Sequence, residues 1–515
     1  MKKITWIIFV FAFILLRPYQ LQNSGMMYTG DDYDYMSHAT SLVFFQFPSY
    51  AKESFGTGQG IPLGSIGSAL LASPFVFLTS IIDRTVGNEV IVKRTASNVH
   101  KSWTAFGFTL ASVFYLWIAC LFLYKGLTFY FERQVSSLTV ILTVLAQGVP
   151  LYAFRRPVFS HIYELFLQSL FLFIMLRLDK LGGYILGGKQ LKDLGEAVFI
   201  GLLAGSMSLT RTNNIFMSLV WPIILFSLYY PGIAGIRIVK MILVSYLTIA
   251  SLIFIFQIWP IFYNLHDINQ YSGYINSEQS RKYFYTLYNP FFYIKRLGHL
   301  IWGIDWGLIF TAPYLVLGLF SLALIKEYKI RARLIYLLVP MAFTLYGTLS
   351  FRSQGGWYGY RYLIFSLIPI IVYPMAKLIL LSKKKTLFYY SVILISIMPI
   401  LSMLSFEGNN TNLTLNVVEQ GFGVADWGNN TYQLGIYKTI LTNPIQYLIG
   451  ILKGGPLYLV YLASTFLGLK KYLPGVVLEK YTIFQLSTLI KTVAVYLFPF
   501  ALLLVYKKLK WLKES

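Results

Sequence analysis

The chain has 515 residues, of which 57% are hydrophobic, 18% aromatic and 12% charged, and 43 basic against 20 acidic residues give a formal charge of +23. This excludes a soluble globular protein, because apolar windows such as Trp103 to Tyr124 and Tyr362 to Ala376 lack the polar face of a helix on a soluble core. It also excludes nucleic acid as the basic partner: lysines and arginines sit in short clusters between apolar runs, the positive-inside pattern of a polytopic membrane protein whose basic loops meet anionic lipid headgroups.

From the N-terminus, Lys2-Lys3 precede the apolar stretch Ile4 to Leu16, which Arg17-Pro18 closes. No small-x-small cleavage site follows, so the stretch is read as a retained first helix. Crossings are expected at about 4–21, 102–124, 135–153, 159–177, 196–210, 214–230, 241–263, 306–325, 334–350, 361–377, 387–405 and 491–507, about twelve in all with both ends cytoplasmic. The two flanking Thr210-Arg211-Thr212-Asn213-Asn214 are short and read as a hairpin stopping at membrane depth. Pro456 to Gly468 is too short to span comfortably, and counting it would place the basic C-terminus outside. The lone cysteine, Cys120, lies in an apolar run, so no intrachain disulfide forms and a buried thiol is expected.

The far-side loops are unequal: about 22–101, short turns near 154–158 and 211–213, then about 264–305, 351–360 and 406–490. Function is expected on that face. Its first loop contains the proline- and glycine-punctuated stretch Ile61 to Ile82, which reads as helices in the membrane interface. It also carries Gly30-Asp31-Asp32-Tyr33-Asp34, a carboxylate cluster just outside a membrane span. Arg155, Arg156, His161, Glu164, Arg211 and Arg361 would face the same side. Ionisable groups at membrane depth mark a pathway or a site, and arginines beside carboxylates suit a phosphate-bearing substrate whose reacting partner must lose a proton.

Four segments in this order resemble the polyprenyl-phosphate-dependent GT-C glycosyltransferases, the group that includes protein O-mannosyltransferases and the lipid A aminoarabinose transferase. Gly30-Asp31-Asp32-Tyr33-Asp34-Tyr35 stands where many bacterial members have Gly-Asp-Glu. Phe159-Ser160-His161, after Arg155-Arg156-Pro157, looks like their Phe-Ser-His segment. Leu209-Thr210-Arg211-Thr212-Asn213 resembles Leu-Thr-Arg-Pro-Thr-Asn without the proline, and Gly355-Gly356-Trp357-Tyr358-Gly359-Tyr360-Arg361-Tyr362-Leu363 is similar to Gly-Gly-Trp-Ser-Phe-Gly-Pro-Arg-Tyr-Leu, one residue shorter. The resemblance covers about Tyr28 to Leu363 and implies an all-α GT-C-type bundle of about twelve transmembrane helices with external interfacial helices. Residues 1–405 would be the catalytic module, and 406–515 an external region plus last span that bears on acceptor choice.

The implied chemistry is inverting transfer of a sugar from a polyprenyl-phosphate donor, undecaprenyl phosphate being the expected carrier, to a cell-envelope glycan, lipid or protein outside a bacterial inner membrane. Asp31 is the candidate base with Asp32 seconding it; the same pair also suits capping of a helix over Tyr33 to Phe45. Arg155, Arg156, Arg211 and Arg361 are candidates for the donor phosphate, although arginines at helix ends also snorkel to headgroups. Asp34, His161, Glu164 and Trp357 are supporting candidates; His161 and Glu164 share one helical face and also suit mutual pairing or pairing with an arginine. Asp32-x-Asp34 has the spacing of two cation ligands, but with arginines to neutralise the phosphate no metal or other cofactor is expected. An O-antigen polymerase or ligase would concentrate its basic residues in one or two large external loops, and a transporter would show repeated halves, neither of which the sequence displays.

Overall fold

The computed structural model describes residues 31–50, 62, 64–87, 103–149, 152–153, 157–182, 192–229, 235–264, 290–302, 307–350, 360–383, 385–396 and 399. The expected crossings 4–21 and 491–507, the region 406–490, and Arg155, Arg156 and Trp357 lie outside these residues.

Every regular element among the described residues is helical. In chain order they are α1 (Asp31–Val43), α2 (Gly67–Thr85), α3 (Trp103–Leu127), α4 (Arg133–Val140, continued by a π turn Ile141–Leu145), α5 (His161–Leu181), α6 (Lys192–Thr210), α7 (Ile215–Tyr229) and α8 (Gly235–Ile253, continued by a π turn Phe254–Ile258). Then follow α9 (Trp259–Tyr263), α10 (Pro290–Trp302), α11 (Leu308–Thr311), α12 (Pro313–Ser321), α13 (Tyr328–Ser350), α14 (Arg361–Ser382) and α15 (Thr386–Leu394). Among the described residues six stretches are long and apolar enough to cross a membrane: Trp103–Leu127, His161–Leu181, Asp193–Thr210, Gly235–Tyr263, Tyr328–Leu349 and Leu363–Ser382. The crossings expected at 135–153, 214–230 and 306–325 coincide with shorter apolar helices, Arg133–Leu145, Thr212–Leu228 and Pro313–Leu324. The segment expected at 387–405 begins as the nine-residue α15.

Side-chain contacts fix the directions. Tyr115 meets Tyr163 and Phe166, Phe122 meets Phe166 and Phe173, and Tyr130 just beyond α3 donates to Asp179, so α3 and α5 run parallel. Helices α6 and α8 also run parallel and very close, because Gly201 and Gly205 on α6 leave no bulk between them; a Cβ on Gly201 would lie 2.8 Å from the Ser245 carbonyl oxygen. At one end of the bundle charge gathers in pairs: Arg333 with Asp179, Arg237 with Asp193, Lys377 with Glu327 at 2.9 Å and Lys383 with Glu132 at 3.1 Å. These come from clusters that the sequence assigns to one face.

Helix α2, within the stretch read as interfacial, stands antiparallel against the first half of α3. The Tyr115 hydroxyl donates to the Leu71 carbonyl at 3.0 Å, Gly107 lies against Val76, and Asp83 meets Trp103 and Thr104. Phe77, Leu78, Ile81 and Ile82 remain exposed on its outer side. Because α5 begins abreast of Tyr115, the part of α3 from Trp103 to Tyr115 projects beyond it by about 18 Å at 1.5 Å per residue. Among the described residues two apolar cores result. The larger joins α3 to α8 and α12 to α14, and a smaller one, rich in alanine, seats α1 through Met36, Ala39 and Val43 on Ala69, Ala72, Val76, Ala105, Phe108 and Ala111.

Asp83 starts α3. Buried completely, it accepts the backbone amides of Trp103 at 3.0 Å and Thr104 at 2.6 Å and the Thr104 hydroxyl at 2.6 Å. The first amides of a helix have no intrahelical acceptor, and a carboxylate suits the positive end of the helix dipole. Asp83→Ala is expected to destabilise the protein by about 2–4 kcal/mol, since it strands two buried donors. Thermal unfolding in detergent checks this, and an unchanged midpoint would refute the capping role.

Candidate active site

The acidic residues lie on α1. The chain is helical from Asp31, the first described residue of this helix, so Asp31 and Asp32 lie within α1. Gly64 fixes this part of the helix against the chain that leads into α2: a Cβ there would lie 3.2 Å from the Asp34 Cβ and 3.3 Å from the Tyr35 ring. One turn on, His38 is buried; its Nε2 donates to the Gly64 carbonyl at 2.7 Å and its Nδ1 accepts from the Tyr50 hydroxyl at 2.6 Å. Burial lowers the His38 pKa to about 4 against the opposing pull of the Gly64 carbonyl, so the ring acts as a neutral tether.

The second part is built on the start of α5. Glu164 is 0% exposed. Its Oε2 accepts from Arg211 Nη1 at 2.9 Å and its Oε1 accepts from the Ser366 hydroxyl, so one carboxylate joins α5, the α6–α7 turn and α14. Arg211 Nη1 also stands 3.5 Å from His161 Nδ1. The pairing that the sequence left open thus goes to Arg211, and His161 packs between Tyr152 and Phe365, ring centroids 5.3 and 5.0 Å away.

Arg211 is placed by a break in the chain. Its backbone is extended (φ −161°, ψ 133°) between α6 and the short 3-10 turn Thr212–Asn214, and Asn214 closes the turn by donating its amide to the Arg211 carbonyl at 2.9 Å. Gly67 packs on the backbone of Leu209 and Thr210, so α2 supports this hairpin directly. Arg361, buried at the first position of α14, lies over the Phe159 ring at 4.9 Å, and Phe159 in turn meets Tyr35 edge-on at 6.5 Å.

Beside these pieces lies an open cleft of about 190 Å³ lined by Tyr35, Ser65, Arg211, Thr212, Asn213, Gly347 and Thr348. It offers one guanidinium, four hydroxyls and an amide, groups that neutralise an anion and hydrogen-bond a polyhydroxylated ligand. Of the residues singled out in the sequence, Arg211 lines the cleft, Glu164 and His161 stand behind it, Arg361 is one ring away, Asp34 lies beside Tyr35, and Asp31 and Asp32 lie on the same helix. Sequence reasoning missed Ser366, Ser65, Gly347 and Thr348. Ser366 carried a signal, a hydroxyl in the apolar run following Arg361, whereas Gly347 and Thr348 carried none. Among the described residues no three His, Cys, Asp or Glu side chains gather as a metal site.

No family model matches the chain, and no curated protein matches it. It is similar to solved structures of an oligosaccharyltransferase from Archaeoglobus fulgidus. The apo form has 12% identity and a TM-score of 0.41, covering 83% of this chain and 60% of that one. The complex with Zn and sulfate has 13% identity and a TM-score of 0.39, covering 82% and 58%. The same values of 13% and 0.39 hold for the archaeal oligosaccharyltransferase AglB in complex with an inhibitory peptide and a dolichol-phosphate, covering 83% and 61%. The chain spans about three fifths of the length of these structures.

Proposed function

We propose that the protein is an integral membrane glycosyltransferase of the GT-C kind, moving one sugar from a polyprenyl-phosphate donor to a cell-envelope acceptor with inversion. One observation carries this reading. Tyr35, Phe159, Arg211 and Arg361 come from the four segments that bear the family resemblance and gather in one region although more than three hundred residues of chain separate the first from the last: Tyr35 and Arg211 line the polar cleft, and Phe159 and Arg361 stack behind Tyr35.

In this mechanism Asp31 takes the proton from the acceptor hydroxyl, and Asp32 and Asp34 help to place that hydroxyl. The freed oxygen attacks the anomeric carbon on the face opposite the phosphate; the carbon–oxygen bond to phosphate breaks and polyprenyl phosphate leaves carrying the negative charge. Arg211 receives the phosphate, with Arg361, Arg155 and Arg156 contributing to the field around it. Glu164 and His161 hold Arg211, and Trp357 offers a ring to the sugar. The reaction belongs on the external face of a bacterial inner membrane, with residues 406–490 choosing the acceptor.

Membranes carrying the wild-type chain, given radiolabelled polyprenyl-phosphate hexose, are expected to label an envelope acceptor. Transfer only from a diphosphate-linked oligosaccharide would replace this reading with that of a polymerase or ligase, and transfer from neither would end it.

A further inference from the structure

Glycine inside a helix is disfavoured relative to alanine, so each helical glycine calls for a reason. Most here have one in packing. A Cβ would meet the Leu209 and Thr210 backbone from Gly67, the Val76 Cα at 2.6 Å from Gly107, the Leu252 Cδ1 at 2.6 Å from Gly205 and the Ile371 Cβ at 2.5 Å from Gly318. Gly347, in the last turn of α13, is different. Among the described residues the nearest group to a Cβ there is Asn213 Nδ2 at 3.9 Å, ordinary contact, so none of the described helices demands the glycine. Gly195, Gly235 and Gly298 also have open space, but of these four glycines Gly347 alone lines the cleft.

Resting on the glycosyltransferase reading, we propose that Gly347 is a specificity-determining residue: its bare backbone is the wall against which the transferred sugar ring lies. The neighbouring groups fit that placement. Thr348 is buried beside Gly347 and donates its hydroxyl hydrogen to the Thr344 carbonyl at 2.8 Å, which leaves its oxygen to accept from a sugar hydroxyl. Asn213 and Thr212, both exposed, line the same cleft beside Gly347, with the Asn213 amide in contact range of it, and offer an amide and a hydroxyl to the edge of a ring lying over them. Arg211 at the same cleft takes the phosphate, so ring and phosphate lie side by side as a glycosyl phosphate requires.

The test is a size series, Gly347→Ala and Gly347→Leu, with Gly298→Leu as the control away from the cleft. Thermal unfolding in detergent is measured beside transfer from polyprenyl-phosphate hexose. Gly347→Ala is expected to fold with an unfolding midpoint at or above wild type, because alanine favours the helix, yet to raise the donor KM about tenfold. Gly347→Leu is expected to lower kcat/KM further, by about a hundredfold or more, while Gly298→Leu transfers as wild type. The role of Gly347 is overturned by either of two results: a folded alanine or leucine variant with wild-type kinetics, or an equal loss in Gly298→Leu. Wild-type membranes that transfer no sugar at all remove the glycosyltransferase reading and this role with it, an outcome the wild-type arm separates from the other two.

Discussion

Replacing Arg211 with methionine is expected to lower stability by about 3–5 kcal/mol, because Glu164 is left as a buried carboxylate without its cation. The pair is short, 2.9 Å, and both side chains are hidden, 8% and 0% exposed. The serine contact from Ser366 survives the change but carries no charge, so it cannot compensate. Transfer is expected to fall by about 10²–10³ through loss of the group proposed to meet the leaving phosphate. A second variant separates the two effects. Arg211→Met combined with Glu164→Gln removes both charges and should recover most of the stability, since an amide still accepts from Ser366, while transfer stays lost. Thermal unfolding of the purified protein in detergent decides the first point; a single variant that unfolds at the wild-type midpoint would show that the ion pair does not hold this corner together.

Asp31→Asn is expected to reduce transfer by about 10²–10⁴, the range for removing a general base, with the unfolding midpoint unchanged. Asparagine has the same shape, so α1 is expected to keep its fold. The matched variant Asp32→Asn should lose less. Equal transfer by wild type and Asp31→Asn, at matched expression, would move the base elsewhere. If instead Asp32→Asn proves the more damaged of the two, the base assignment passes to Asp32.

Much of this architecture is legible in the chain. Apolar windows between basic clusters give the positions of Trp103–Leu127, His161–Leu181, Gly235–Tyr263 and Leu363–Ser382 within a few residues. The break at Arg211 is legible too, because two short apolar runs flank a polar pentapeptide. What periodicity does not encode is which helix meets which. Glu164 takes Arg211 rather than His161 because the hairpin turn packs against the start of α5. Gly347 and Thr348 reach Asn213 across a chain separation that no local pattern records. Helix α2 could be read as an apolar stretch, but its position against α3 depends on Asp83 capping Trp103 and Thr104, twenty residues away in the chain.

The alanine seat beneath α1 makes the acids sensitive to events far from them. Ala39, Ala69, Ala72, Ala105 and Ala111 have no rotamers, so contacts between them cannot absorb an extra methyl group by turning a side chain. Where alanine meets alanine the interface responds by moving helices as bodies, leaving Met36, Val43, Val76 and Phe108 as the side chains of the seat that can turn. Such a movement passes along α1 to Asp31, and a displacement of about 1 Å between reacting groups is enough to slow a reaction about a hundredfold. If Asp31 is the base, as proposed, its register is therefore held by some of the smallest and least reactive side chains in the protein.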